Sequence, residues 1–315
     1  MNTQTAAHPV LSGTSSPSES ARDLPPAIGA DSGRLDVMGV GGIGYYKDVT
    51  GEGPGVVLIH SVNAAASAYE MRPLFEALRG RRRVFALDLP GFGRSQRGDR
   101  DYRPTMYAEA IERFIVDVAS PQGEAVDAVA SSLSSEFLAR VAVRAPTLFR
   151  SLTLLSPTGL GPERSGGGLA RGILHNALRV APVSEGLFRL LRTAPSIRYF
   201  LGKSFVGTVD EGLVRYSLQT AAAAGGRFAP VRFIDGALFT PDAQRSLYEA
   251  LAVPTRIVYD QDPHTRFDRL DALTRANPWV SAHRVAPTLG LPQFERTSDV
   301  VAVIEAPVAP PGAVT

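Results

Sequence analysis

A mostly parallel α/β sheet is the fold this sequence predicts, and three observations carry it. Short apolar runs alternate with amphipathic stretches through residues 35–159 and again through 250–305. That is the βαβα rhythm of parallel strands joined by covering helices. The run at residues 55–60, GVVLIH, is apolar throughout and ends on a polar residue, as a strand buried on both faces does. Residues 160–249 then break the rhythm with helix-like blocks alone. This interruption is far longer than an ordinary connection, so it predicts a helical lid inserted into a helix-flanked sheet of eight strands.

The elements follow in order. Residues 35–40 and 43–48 read as a strand pair joined across Gly41 and Gly42. After the strand at 55–60 come a helix at 67–79 and a strand at 83–88, closed by the turn Pro90, Gly91, Phe92, Gly93. Residues 106–118 place Ala110, Ile111, Phe114, Ile115 and Val118 on one helical face. A strand at 125–131, a helix at 135–145 and a strand at 151–156 continue the alternation. The interruption opens near Gly166, Gly167 and Gly168 and carries helix-like blocks at 170–180, 185–192, 211–224 and 243–250. The pattern resumes with a strand at 255–260, a helix at 266–276, a strand at 280–286 and a last helix at 298–306. Residues 1–34, rich in Ser, Pro, Thr and Ala, carry no apolar period and read as a disordered tail. Residues 306–315, with Pro307, Pro310 and Pro311, read as a shorter one.

Composition narrows the chemistry. Among 315 residues, 33 Lys and Arg face 31 Asp and Glu, too even a balance to imply a nucleic-acid partner. Of the basic residues only Lys47 and Lys203 are lysine. No apolar run is long enough for a membrane span, and the N-terminus lacks the pattern of a secretory signal, so a cytoplasmic protein is expected. With no Cys at all, thiol nucleophiles, disulfides and thiolate metal sites drop out. The His and acidic residues show no metal-ligand spacing, and no cofactor is implied. The glycines are not followed by the Lys-Ser/Thr pair of a phosphate loop. A hydrolytic base would have to come from His8, His60, His175, His264 or His283.

The most informative segment is residues 127–146, DAVASSLSSEFLARVAVRAP. An apolar strand runs through small residues directly into an amphipathic helix, a turn sharp enough to present Ser132 at the helix N-terminus. Here the chain resembles the α/β-hydrolase superfamily, whose elbow reads G-x-S-x-G; the same positions are Ala130, Ser131, Ser132, Leu133 and Ser134. Two further stretches carry the resemblance. VLIHS at 57–61, followed by Asn63 to Ser67, is similar to the family's strand-end His-Gly loop, with Ser61 where Gly is usual. RVFALDLPGFGRS at 83–95 is similar to a signature of the lid-bearing branch. The resemblance implies Ser132 as nucleophile and the backbone amides of Val62 and Leu133 as oxyanion donors. It leaves His60 either to orient the oxyanion loop or to act as an acid/base. Lid aromatics such as Phe188, Tyr199, Phe205, Tyr216 and Phe239 either line an apolar ligand pocket or pack the lid itself.

The family's acid follows the next-to-last strand in a G-x-x-D turn, here Tyr259, Asp260, Gln261, Asp262. Asp262 matches, with Asp260 a neighbouring candidate. The base should stand in a loop resembling Gly-His-x-Pro-x-x-Glu. This chain reads Leu289, Gly290, Leu291, Pro292, Gln293, Phe294, Glu295, which places Gly290 where the His belongs. Shifting the match puts Gln293 there, which takes no proton. Loss of the base removes on the order of 10⁶ of turnover in a serine hydrolase. The resemblance therefore implies an enzyme acting on a small hydrophobic ester, lactone or other carbonyl compound by altered chemistry. Two alternatives stay open: a silent protein that binds a ligand or partner, and an esterase whose base is relocated to His264 or His283.

Overall fold

The computed structural model describes residues 23–162 and 180–308. Eight strands form one sheet: β1 Asp31–Val37, β2 Gly41–Asp48, β3 Glu52–Ile59, β4 Arg82–Leu87, β5 Val126–Ser131, β6 Phe149–Leu155, β7 Thr255–Gln261 and β8 Val280–Leu289. Their order is β1-β2-β4-β3-β5-β6-β7-β8. β2 runs antiparallel to β1 and β4, and every pairing from β4 to β8 is parallel.

The two-residue period of the central strands divides the core. Val57 and Ile59 of β3, Phe85 and Leu87 of β4, and Ala128 and Ala130 of β5 face one apolar cluster. That cluster is completed by helix α2 Pro104–Phe114 and helix α3 Ser134–Arg144, through Ile111, Phe114, Phe137 and Leu138. Val56, Leu58, Val84, Ala86 and Val129 face the opposite cluster. There they meet Leu74, Phe75 and Leu78 of α1 Arg72–Leu78 and Val300, Val301 and Ile304 near the C-terminal end. Continuous apolar runs are therefore what the central strands need, because both faces are covered.

Between β6 and β7 the described part of the insertion is helical: α4 Ala181–Leu191, α5 Ala194–Gly202, α6 Glu211–Ala222, α7 Phe228–Ile234 and α8 Ala243–Ser246. The expected helix at 170–180 lies almost wholly, and Gly166 to Gly168 entirely, outside the described residues. Asp210 caps α6 by accepting from the Leu213 amide at 2.6 Å. Arg97, buried, reaches from the core to α6, donating to the Thr220 carbonyl at 2.7 Å and its hydroxyl at 2.5 Å. Tyr69 and Tyr216 stack at 5.3 Å across the same boundary. The aromatics do not gather into one lining: Phe188, Phe205 and Tyr216 are buried, whereas Tyr199 and Phe200 face outward. The chain then completes the core with α9 Leu270–Ala276, α10 Pro292–Glu295 and α11 Thr297–Glu305.

The N-terminal boundary needs correction. A tail was expected through residue 34, yet Leu24, Ala27 and Ile28 are buried and β1 begins at Asp31. The Ala27 amide donates to the Tyr46 hydroxyl at 3.1 Å, and the Tyr216 hydroxyl donates to the Pro25 carbonyl at 3.0 Å. Apolar residues placed singly in an irregular segment bury well without leaving a period to read.

Candidate active site

The nucleophile turn is strained where the sequence places Ser132. β5 ends at Ser131, α3 begins at Ser134, and Ser132 between them has φ 53°. A left-handed non-glycine residue costs on the order of 1–3 kcal/mol and persists only where the surroundings hold it. Here they do. The Ser132 amide donates to the Leu155 carbonyl at 2.8 Å, the Ser135 hydroxyl to the Ala130 carbonyl at 3.3 Å, and the Ser134 hydroxyl to the His60 carbonyl at 2.6 Å. Ser134 therefore does what a glycine at its place could not, tying the elbow to the neighbouring strand end. Ser132 itself stays half-buried. Leu133, the N-cap residue, holds its amide at the end of α3, where the first N–H groups lack intrahelical acceptors.

His60 is fully buried, and backbone groups engage both ring nitrogens. The Leu89 amide donates to Nε2 at 2.9 Å, so the proton lies on Nδ1, which donates to the Ser61 carbonyl at 2.6 Å. Burial pushes its pKa down to about 4, against the pull of the Ser61 carbonyl. A neutral ring, bonded by backbone at both nitrogens, clamps the loop that bears Val62. Glu70, which the sequence reading passed over, lies beneath the same loop. Its carboxylate accepts from the Ser61 amide at 2.8 Å and the Asn63 side chain at 2.9 Å. Burial pushes Glu70 above the usual carboxylate range, opposed by those same bonds. Gln293 donates to the Glu70 backbone carbonyl at 3.3 Å, and its own buried side-chain oxygen has no hydrogen-bond partner.

The two acidic candidates separate cleanly. Asp260 accepts from the Thr288 amide at 3.0 Å and from Arg284 at 2.9 Å, joining β7 to β8. Burial would raise it, but the Thr288 amide and the Arg284 guanidinium together hold it below the usual range. Asp262 accepts from the His264 amide at 2.7 Å and the Thr265 amide at 3.2 Å. Its pKa is raised by burial, with those amides and the Ser156 hydroxyl opposing. Ser156 follows β6, and its amide donates to the Val258 carbonyl at 2.9 Å. The path from Ser132 to Asp262 thus crosses only Leu155 and Ser156, at the carboxyl ends of adjoining strands. That is where a parallel sheet presents a ligand site.

Gly290 completes the arrangement. A Cβ at this position would lie 3.2 Å from Asp262 Oδ2 and 3.3 Å from its carboxyl carbon, and the backbone there has φ +99°. Gly290 therefore borders the acid, where the resemblance places a base. His283 pairs in register with Val258 on the edge strand, and its ring bonds the Ser281 hydroxyl at 2.9 Å. Burial and Arg256 lower its pKa. His264 is exposed, its amide bonds Asp262, and the charge of its ring also favours the ionised Asp262. His8 and His175 lie outside the described residues. Among the described residues, no histidine ring is hydrogen-bonded to Ser132 or to the Asp262 carboxylate. Nor, among them, is any cluster of three His, Asp or Glu placed to hold a metal ion.

A sequence profile of the alpha/beta hydrolase family matches residues 56–303. The chain belongs to that family. Among solved structures, the hydrolase fold recurs in a serine hydrolase involved in carbazole degradation, with TM-score 0.69 and 19% identity over 87% of this chain and 97% of that one. A thioesterase domain from the curacin biosynthetic pathway gives TM-score 0.67 and 17% identity over 87% and 98%. The N-formylmaleamic acid deformylase of Pseudomonas putida gives 0.64 and 16% over 87% and 99%. At these identities the likeness is one of fold. No curated protein matches the chain. Among the described residues, no helix of this alpha/beta hydrolase is long and apolar enough to cross a membrane.

Proposed function

We propose that this alpha/beta hydrolase is an enzyme acting on a small hydrophobic ester, lactone or related carbonyl compound, with Ser132 as nucleophile and without a resident triad base. The observation that carries this reading is the left-handed Ser132, held in strain by the Leu155, His60 and Ala130 carbonyls around it. A fold that had given up acyl chemistry would gain stability by relaxing that turn. The amides of Val62 and Leu133 serve the developing oxyanion, with the Glu70 network fixing the first of them. Asp262 orients whatever base is present, and the helical insertion acts as a lid that limits water. Structural neighbours named as a serine hydrolase, a thioesterase and a deformylase agree with this reading. The second reading, a silent binder, draws on Gly290 alone.

Gly290→His tests the placement. It returns an imidazole beside Asp262 and should raise 4-nitrophenyl ester hydrolysis at least about tenfold, a fraction of a full triad's value because φ at 290 disfavours a side chain. The gain should vanish in Gly290→His with Ser132→Ala. A folded Gly290→His protein with no gain would sink the assignment of the site.

A further inference from the structure

Asp262 is held by backbone amides, by the Ser156 hydroxyl and by the nearby charge of His264, and no histidine ring is hydrogen-bonded to it among the described residues. Oδ1 receives both amides of its own turn, at 2.7 and 3.2 Å, and Oδ2 is the atom closest to where a position-290 side chain would start. The loop there is shaped for glycine by its φ of +99°. The carboxylate oxygen that faces the missing side chain is a hydrogen-bond acceptor, and its complement is a donor. Ser132, whose amide bonds the Leu155 carbonyl next to the Ser156 that bonds Asp262, needs an acceptor for its proton. One group meets both needs: a nitrogen with a free lone pair and at least one N–H.

We propose that the space over Gly290 is a subsite for a small nitrogen base bearing an N–H, of the imidazole or amine class, which replaces the missing base. The N–H points at Asp262 and the lone pair at Ser132. This rests on the nucleophile assignment above. In the acyl step the Ser132 oxygen forms a bond to the carbonyl carbon, its proton passes to the nitrogen, and the carbonyl π pair moves onto oxygen. On collapse that pair returns and the bond to the leaving group breaks with its electrons. The nitrogen hands its proton to the leaving group and is regenerated neutral. Water repeats the sequence to release the acid. Desolvation of Asp262 favours such a donor beside it.

The test uses the full chain, 4-nitrophenyl acetate, and added imidazole or 1-methylimidazole, each corrected for its uncatalysed reaction. The two have similar basicity, but only imidazole offers an N–H to Asp262, so the comparison needs no variant. Expected is a saturable acceleration by imidazole of about tenfold or more, little by 1-methylimidazole, and loss of the difference in Asp262→Asn. Equal acceleration by both bases, or none by either, overturns the subsite. Turnover that is fast without added base, lost in Ser132→Ala and lost in His264→Ala also overturns it, while leaving the nucleophile assignment intact. Imidazole-dependent turnover that survives Ser132→Ala overturns the nucleophile assignment, and with it the subsite as drawn. A second arm compares histidine methyl ester with alanine methyl ester without added base. Preference for the former assigns the nitrogen to the substrate, and no preference assigns it to a separate molecule.

Discussion

On the β5 side of the site, Ser132 is pinned in a left-handed turn by three carbonyls, and the adjoining loop is clamped by His60 below and Glu70 behind. On the β8 side, Gly290 stands bare beside an acid that its own turn holds in place. The first region spends strain and buried polar groups on one geometry, whereas the second carries no side chain at the decisive position. On the proposed reading, the chain itself supplies the nucleophile and the oxyanion donors, and the proton acceptor comes from elsewhere.

Four measurements break or sharpen that contrast. The largest effect comes from pH. His60 is neutral in the fold down to about pH 4, while in the unfolded chain it takes a proton near 6.5. The unfolded state therefore binds more protons between those values. Stability should be full above about pH 6.5 and fall by about 3 kcal/mol as pH drops through 4, by urea unfolding. His60→Gln should flatten this slope; an unchanged slope would show the clamp to be misassigned. Next, Glu70→Ala strips the Ser61 amide of its acceptor and should lower stability by about 2 kcal/mol. The effect should be accompanied by faster hydrogen exchange at Ser61, and a neutral outcome would mean the loop is not held from behind.

Smaller effects probe the strain and the open side. Ser132→Gly relaxes the left-handed residue and should stabilise the fold by about 1 kcal/mol, read as a rise in Tm. A loss instead would mean the turn is not strained. His264→Ala should change stability by less than about 0.5 kcal/mol, because its ring is exposed and its amide, which Asp262 uses, is retained.

What was legible in the sequence follows the same division. The sheet could be read because parallel strands buried on both faces are apolar throughout, and Ser132 because a strand-to-helix turn admits only small neighbours. Gly290 was legible through Leu291, Pro292, Phe294 and Glu295 around it. For His60 only two alternatives were legible, since its partners are the backbone of Ser61 and Leu89, and backbone groups leave no trace in side-chain identity. Glu70 was hidden for another reason. A glutamate in a short turn looks solvated until the fold buries it against a strand end. The packing of residues 24–28 was missed because it has no period.

Glu295 gives the molecule a mechanical linkage. One carboxylate oxygen receives the Leu289 amide at 2.8 Å, just ahead of Gly290, and the other receives the Val206 amide at 2.6 Å, in the insertion. The two segments share a single anchor. Displacing residues 206–207 outward must either drag the glycine loop along or break a charged hydrogen bond. The position of residues 206–207 and that of the loop beside Asp262 are therefore one coordinate, not two.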